Sequence, residues 1–104
     1  MKKLTMMVET VSLRGHTAQF GFKDFLVAVV NSCPLFGSSL SNARRGHKLL
    51  DEIEKCRPLG GVLEVEDDLA KALCGTVDAP ATPWLPHFLI GTLPFVDHML
   101  KELS

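Results

Sequence analysis

Arg44, Arg45 and Lys48 place three fixed positive charges within five consecutive positions, with His47 among them. Guanidinium and ammonium groups clustered this way suit phosphate oxygens or the carboxylates of an acidic partner, so these residues are the candidate anion-binding set. The opposing charge gathers in Glu64, Glu66, Asp67 and Asp68. Paired carboxylates can divide acid and base roles in hydrolysis, but adjacent acids at the end of a strand and the start of a helix are favoured by the helix dipole alone, and are read as structural. Metal and nucleophile chemistry find less to work with. Cys33, Cys56 and Cys74 each stand alone, and His87 and His98 are eleven positions apart, where tetrahedral zinc needs close Cys or His pairs. Gly37-Ser38-Ser39 lacks the flanking glycines of a nucleophile elbow, and neither GxGxxG nor GxxxxGK occurs. His87 or His98 as a catalytic base would need a positioned partner that the spacing does not supply. No enzyme activity, metal or cofactor is expected.

The elements that carry these residues follow from periodicity and punctuation. Met1 to Leu13, with Leu4, Met6 and Val8 alternating, reads as a strand ending at Arg14-Gly15, and His16 to Phe22 as the returning strand of an antiparallel hairpin. From Lys23 the spacing of Phe25, Leu26, Val29 and Val30 predicts a short buried helix that ends between Asn31 and Gly37. A second helix opens in Ser38 to Ser41 with a serine cap and lays Leu40, Ala43, His47, Leu50 and Ile53 on one stripe, His47 packed or interfacial. Its charges oppose the helix dipole, with Arg44 and Arg45 near the start and Asp51, Glu52 and Glu54 near the end, so packing must hold it. Gly46 weakens it and permits close approach of another backbone.

Pro58, Gly60 and Gly61 make a turn into a brief extended segment, Val62 to Val65. Asp67 caps a third helix that buries Leu69 and Leu73, with Gly75 just past its end. Pro80, Pro83 and Pro86 then predict an extended loop over Val77 to Pro86 around Trp84. Thr92 and Pro94 open a fourth helix that places Val96, Met99, Leu100 and Leu103 on one side. The expected fold class is α+β, an N-terminal antiparallel hairpin plus a short extra strand packed with about four short helices, in one domain spanning residues 1–104.

Hydrophobic residues make up 46% and charged residues 22% of the 104, a balance that supports a packed core. The net charge of -1 provides no global field for nucleic acid or anionic lipid, so any such binding must be local. The longest apolar run, Phe25 to Val30, is too short to cross a bilayer. Glu9 and Arg14 interrupt what would be the apolar region of an export leader after Lys2 and Lys3. A cytoplasmic protein with reduced thiols is expected.

The C-terminal stretch is unusually apolar, with Trp84, Phe88, Phe95 and Met99 among ten large hydrophobic residues between Trp84 and Leu100. A domain this small has little surface under which to bury them all, so this segment is the expected interface for a protein partner or for self-association. Trp84, Phe88, Phe95 and Met99 are its candidate contact residues, because aromatic anchors dominate interface energetics.

The order of "VSLRG", "FKDFLVAVVN", "NARRGHKLLDEIEK", "GVLEVEDDLAKAL" and "LPFVDHML" along most of the chain resembles that of small accessory proteins of tailed bacteriophages. The resemblance implies a non-enzymatic protein that acts by binding, in virion assembly or against a host protein, and it transfers no site residues. The expected function is therefore protein–protein interaction. The alternative is nucleotide or nucleic-acid binding through Arg44, Arg45 and Lys48, with salt-sensitive affinity.

Overall fold

The structure is a computed structural model that describes residues 1–7, 10–12, 19–57, 60–78 and 91–104. Leu4 and Met6 alternate with Lys3 and Thr5 at the N-terminus; strand β1 (Lys2–Thr5) buries Leu4 and exposes Lys3 and Thr5, and Met6 just after it is buried as well. Two further strands, β2 (Thr10–Ser12) and β3 (Gln19–Gly21), pair antiparallel with Val11 opposite Phe20. This is the expected hairpin in its far part only. The near part of the expected long strand separates as β1 and pairs antiparallel with β4 (Val62–Val65), Lys2 opposite Val65 and Thr5 opposite Val62. Matching alternation explains the choice of partner. Leu63 and Val65 turn inward beside Leu4, while Lys3 and Glu64 are opposite each other in register and both exposed, so one register satisfies both faces of the ladder.

Helix α1 (Phe22–Ser32) buries Phe22, Phe25, Leu26, Val29 and Val30, a stripe at spacings of three and four. The Gly21 N–H at its start donates to the Asp24 carboxylate at 3.1 Å. Pro34 stops the helix and opens a 3-10 turn, Pro34–Gly37. Helix α2 (Leu40–Lys55) starts at Ser39, whose hydroxyl accepts the Asn42 N–H at 3.1 Å, in line with the expected serine cap. Its buried stripe is rotated from expectation. Gly46, Leu49 and Ile53 face inward, whereas Leu40, Ala43 and His47 are exposed. Gly46 is the cause. It receives the Phe36 ring so closely that a Cβ there would lie 2.8 Å from Cγ of the ring, so the helix face includes a glycine that hydrophobicity alone overlooks.

Helix α3 (Asp67–Asp78) runs through Gly75 to Asp78, past the expected stop, because Thr76 and Val77 are buried and packing outweighs one exposed glycine. Val77 and Asp78 are thus helical rather than looped, and the rest of the expected proline-rich loop lies outside the described residues. Helix α4 (Leu93–Leu103) carries Pro94 in its first turn, and the Thr92 carbonyl accepts the N–H groups of Phe95 and Val96 at 2.9 and 3.1 Å.

The described residues thus form an α+β fold of four helices and two two-stranded antiparallel ladders. One core cluster draws on β1, β4 and all four helices. At its centre the rings of Phe22, Phe25 and Phe95 lie 5.4 to 5.8 Å apart. Phe95 and Met99 are completely buried there. The expectation that these two contact a partner is corrected: the Phe22 and Phe25 rings of α1 pack on Phe95, and α4 lies against β1 and α3, which periodicity on α4 alone does not reveal. Among the described residues, no helix is long and apolar enough to cross a membrane.

Candidate functional site

The two charge clusters singled out in the sequence meet each other. Helix α2 and the β4–α3 junction lie side by side, and the Arg45 guanidinium donates to Glu66 at 2.6 Å and to both carboxylate oxygens of Asp68 at 2.7 and 2.9 Å. A further bond of 3.3 Å from Arg45 to the side-chain Oδ1 of Asn42 fixes the side chain on its own helix. These bonds raise the Arg45 pKa and hold the Asp68 carboxyl below its usual range, because each stabilises the charged form of its partner. Asp67 pairs with the Met1 ammonium at 3.2 Å. Arg45 is therefore taken from the anion-binding set by internal carboxylates, and the exposed Arg44 and Lys48 make no ion pair among the described residues. His47 stands 80% exposed, 3.7 Å from Asp51, and does not join the packed stripe.

Trp84, Phe88 and His87 lie outside the described residues. His98 sits between α4 and the sheet, with its Nε2 2.7 Å from the Thr5 carbonyl and 3.8 Å from Glu102, and its ring edge-on to Phe22. That contact explains a structural place for it. Cys33 is buried, and burial pushes the Cys74 thiol pKa up and makes it less nucleophilic. Among the described residues, no group of three or more His, Cys, Asp and Glu side chains is arranged to hold a metal ion.

The Arg45 clamp closes one end of an open groove of about 540 Å³ between α2 and β4. Leu49, Cys56, Leu63, Val65 and Leu69 contribute its apolar lining, and Lys48, Glu52, Lys55 and Glu64 its charged lining. Of β1 only the flanking Met1 reaches it, so the groove follows the edge of β4 turned away from β1.

The backbone pattern shows what that edge presents. The Met6 N–H donates to the Gly61 carbonyl at 2.8 Å, which extends the β1–β4 register by one hydrogen-bonded pair. In an antiparallel ladder such pairs alternate with pairs whose polar groups point outward. Leu63 and Val65 therefore bond β1, while the N–H and C=O groups of Val62 and Glu64 point into the groove. The same alternation turns the Thr5 carbonyl to the opposite edge, where His98 meets it. No hydrogen bond takes the outward groups of Val62 and Glu64 among the described residues. The sequence marked Val62 to Val65 as extended, yet nothing local showed that one of its edges stays open.

Comparison with protein-family models, with curated proteins and with solved structures finds no match to this chain.

Proposed function

We propose that this chain is a non-enzymatic protein-interaction module whose docking surface is the groove between α2 and β4. The observation that supports this most is the open edge of β4, with the outward main-chain groups of Val62 and Glu64 unpaired among the described residues and set beside an apolar lining. Edge strands in this condition are templates for another chain. The C-terminal interface expected from composition no longer supports self-association through Phe95 or Met99, since both are spent on the core. Nucleotide or nucleic-acid binding loses one of its three cations to Glu66 and Asp68 and is not favoured. Under the resemblance to phage accessory proteins, the partner is a virion component or a host protein met in the cytoplasm.

Native mass spectrometry on the chain purified gently at low salt tests the reading. A partner should remain bound to the native chain and to Arg44→Glu, and be lost from Val62→Trp, which crowds the groove from a half-exposed position. Retention of the partner by Val62→Trp and loss from Arg44→Glu would reverse the assignment and favour the basic face of α2.

A further inference from the structure

The groove has the length of a short extended segment. Arg45 meets Glu66 at one end, and at the other a Cβ on Gly61 would lie 2.9 Å from the Cys56 thiol, so α2 and β4 run antiparallel along the groove. From Arg45 to Cys56 the helix rises about 16 Å, and from Gly61 to Glu66 the strand extends about the same distance. A segment of five extended residues fits between these rails.

Charge narrows the choice of occupant. Glu64 on the strand and Glu52 on the helix both line the groove, and neither makes an ion pair among the described residues. Lys3 lies on the far side of Glu64, across the ladder. Lys48 and Lys55 stand to either side of Glu52 on the helix rail, so the selection is for one cation at the centre rather than for a basic segment. Below the rim the lining is apolar, with Leu49, Leu63 and Leu69.

Resting on the docking role above, we infer that the groove takes a five-residue extended segment of a partner protein by strand addition. The segment hydrogen-bonds the main chain of Val62 and Glu64, turns apolar side chains inward at its second and fourth positions, and sets a lysine or arginine at its third position against Glu52 and Glu64. Main-chain pairing supplies the attachment, and the alternating side chains supply the selection. A second copy of this chain is a poorer occupant: its own β4 would bring β1 along on the far edge, into the space of α2.

The test titrates the full isotope-labelled chain with a capped pentapeptide that has isoleucine, lysine and valine at its second to fourth positions and serine at both ends, read by amide resonances. The Val62 and Glu64 amide signals should shift and their exchange should slow. Replacing the central lysine by glutamate, or methylating the peptide nitrogens that face β4, should each weaken binding by about tenfold or more. Val62→Pro removes one groove-facing N–H without touching the β1 ladder, and should weaken binding similarly. Equal binding by the N-methylated peptide, or shifts that miss Val62 and Glu64, would overturn strand addition. Concentration-dependent shifts of these two amides without peptide would overturn it in favour of a second copy. If native partner capture is lost in Val62→Trp while the peptide fails, docking at the groove stands and strand addition does not; if both are insensitive to the groove, both readings fall.

Discussion

At the scale of single residues, Arg45 changes meaning most. Its charge attracts attention as an anion ligand, but two carboxylates more than twenty positions away claim it. The link has a pH signature. Asp68 has a pKa below its ordinary value in the folded chain, so its contribution is fully present above the ordinary carboxylate range and fades as pH falls through the lower, folded value. Asp68→Asn should therefore lower stability at neutral pH and flatten its decline below about pH 4, which denaturant unfolding across pH 2–7 would measure. Ser32 makes a contrasting case. Its hydroxyl is buried at the end of α1 with no hydrogen-bond partner among the described residues. Removing such a group relieves a desolvation penalty, so Ser32→Ala should raise the unfolding free energy by about 1 kcal/mol.

At the scale of elements, two glycines inside helices make the same substitution run in opposite directions. Gly75 lies on the exposed side of α3, and a Cβ there meets nothing within 4 Å. Gly75→Ala should stabilise by about 0.5–1 kcal/mol through backbone entropy. Gly46 on α2 faces Phe36, and a Cβ would stand 2.8 Å from Cγ and 3.1 Å from Cβ of that side chain, too near its backbone to move aside easily. Gly46→Ala should destabilise by about 1–2 kcal/mol after the gain in helix propensity is counted. Thermal unfolding of the two variants side by side reads both signs. The ladder makes a further prediction at this scale. Amide exchange at Leu63 and Val65 should be slow and at Val62 and Glu64 fast, because only the first pair donates to β1. Uniform protection along β4 would mean that its outer edge is not open.

At the scale of the whole molecule, the core joins segments from both ends of the chain. Phe95 of α4 contacts Phe22 and Phe25 of α1, and β1 pairs with a strand nearly sixty positions away. Phe95→Ala should cost about 3–5 kcal/mol in denaturant unfolding. A charged residue at the same site should unfold the chain rather than separate subunits. Much of the architecture was legible beforehand. A serine cap within residues 38–41 and Pro94 after Thr92 mark the starts of α2 and α4, Pro34 stops α1, and the inward stripes of α1 and α4 follow their hydrophobic spacing. These signals are local: a cap, a ring without an N–H or an apolar repeat acts on its own turn of chain, whatever lies far away. By itself, then, the sequence determined an α+β chain, the places of its helices, and a near-neutral charge that provides no global attraction for nucleic acid. The tertiary structure alone decided that β1 leaves the hairpin for β4, that Arg45 is held by Glu66 and Asp68, that Phe95 and Met99 are core, and that Val62 and Glu64 keep open main-chain groups beside α2. Each of those outcomes depends on which distant face offers the complementary surface, and that becomes known only when the chain has closed around one core.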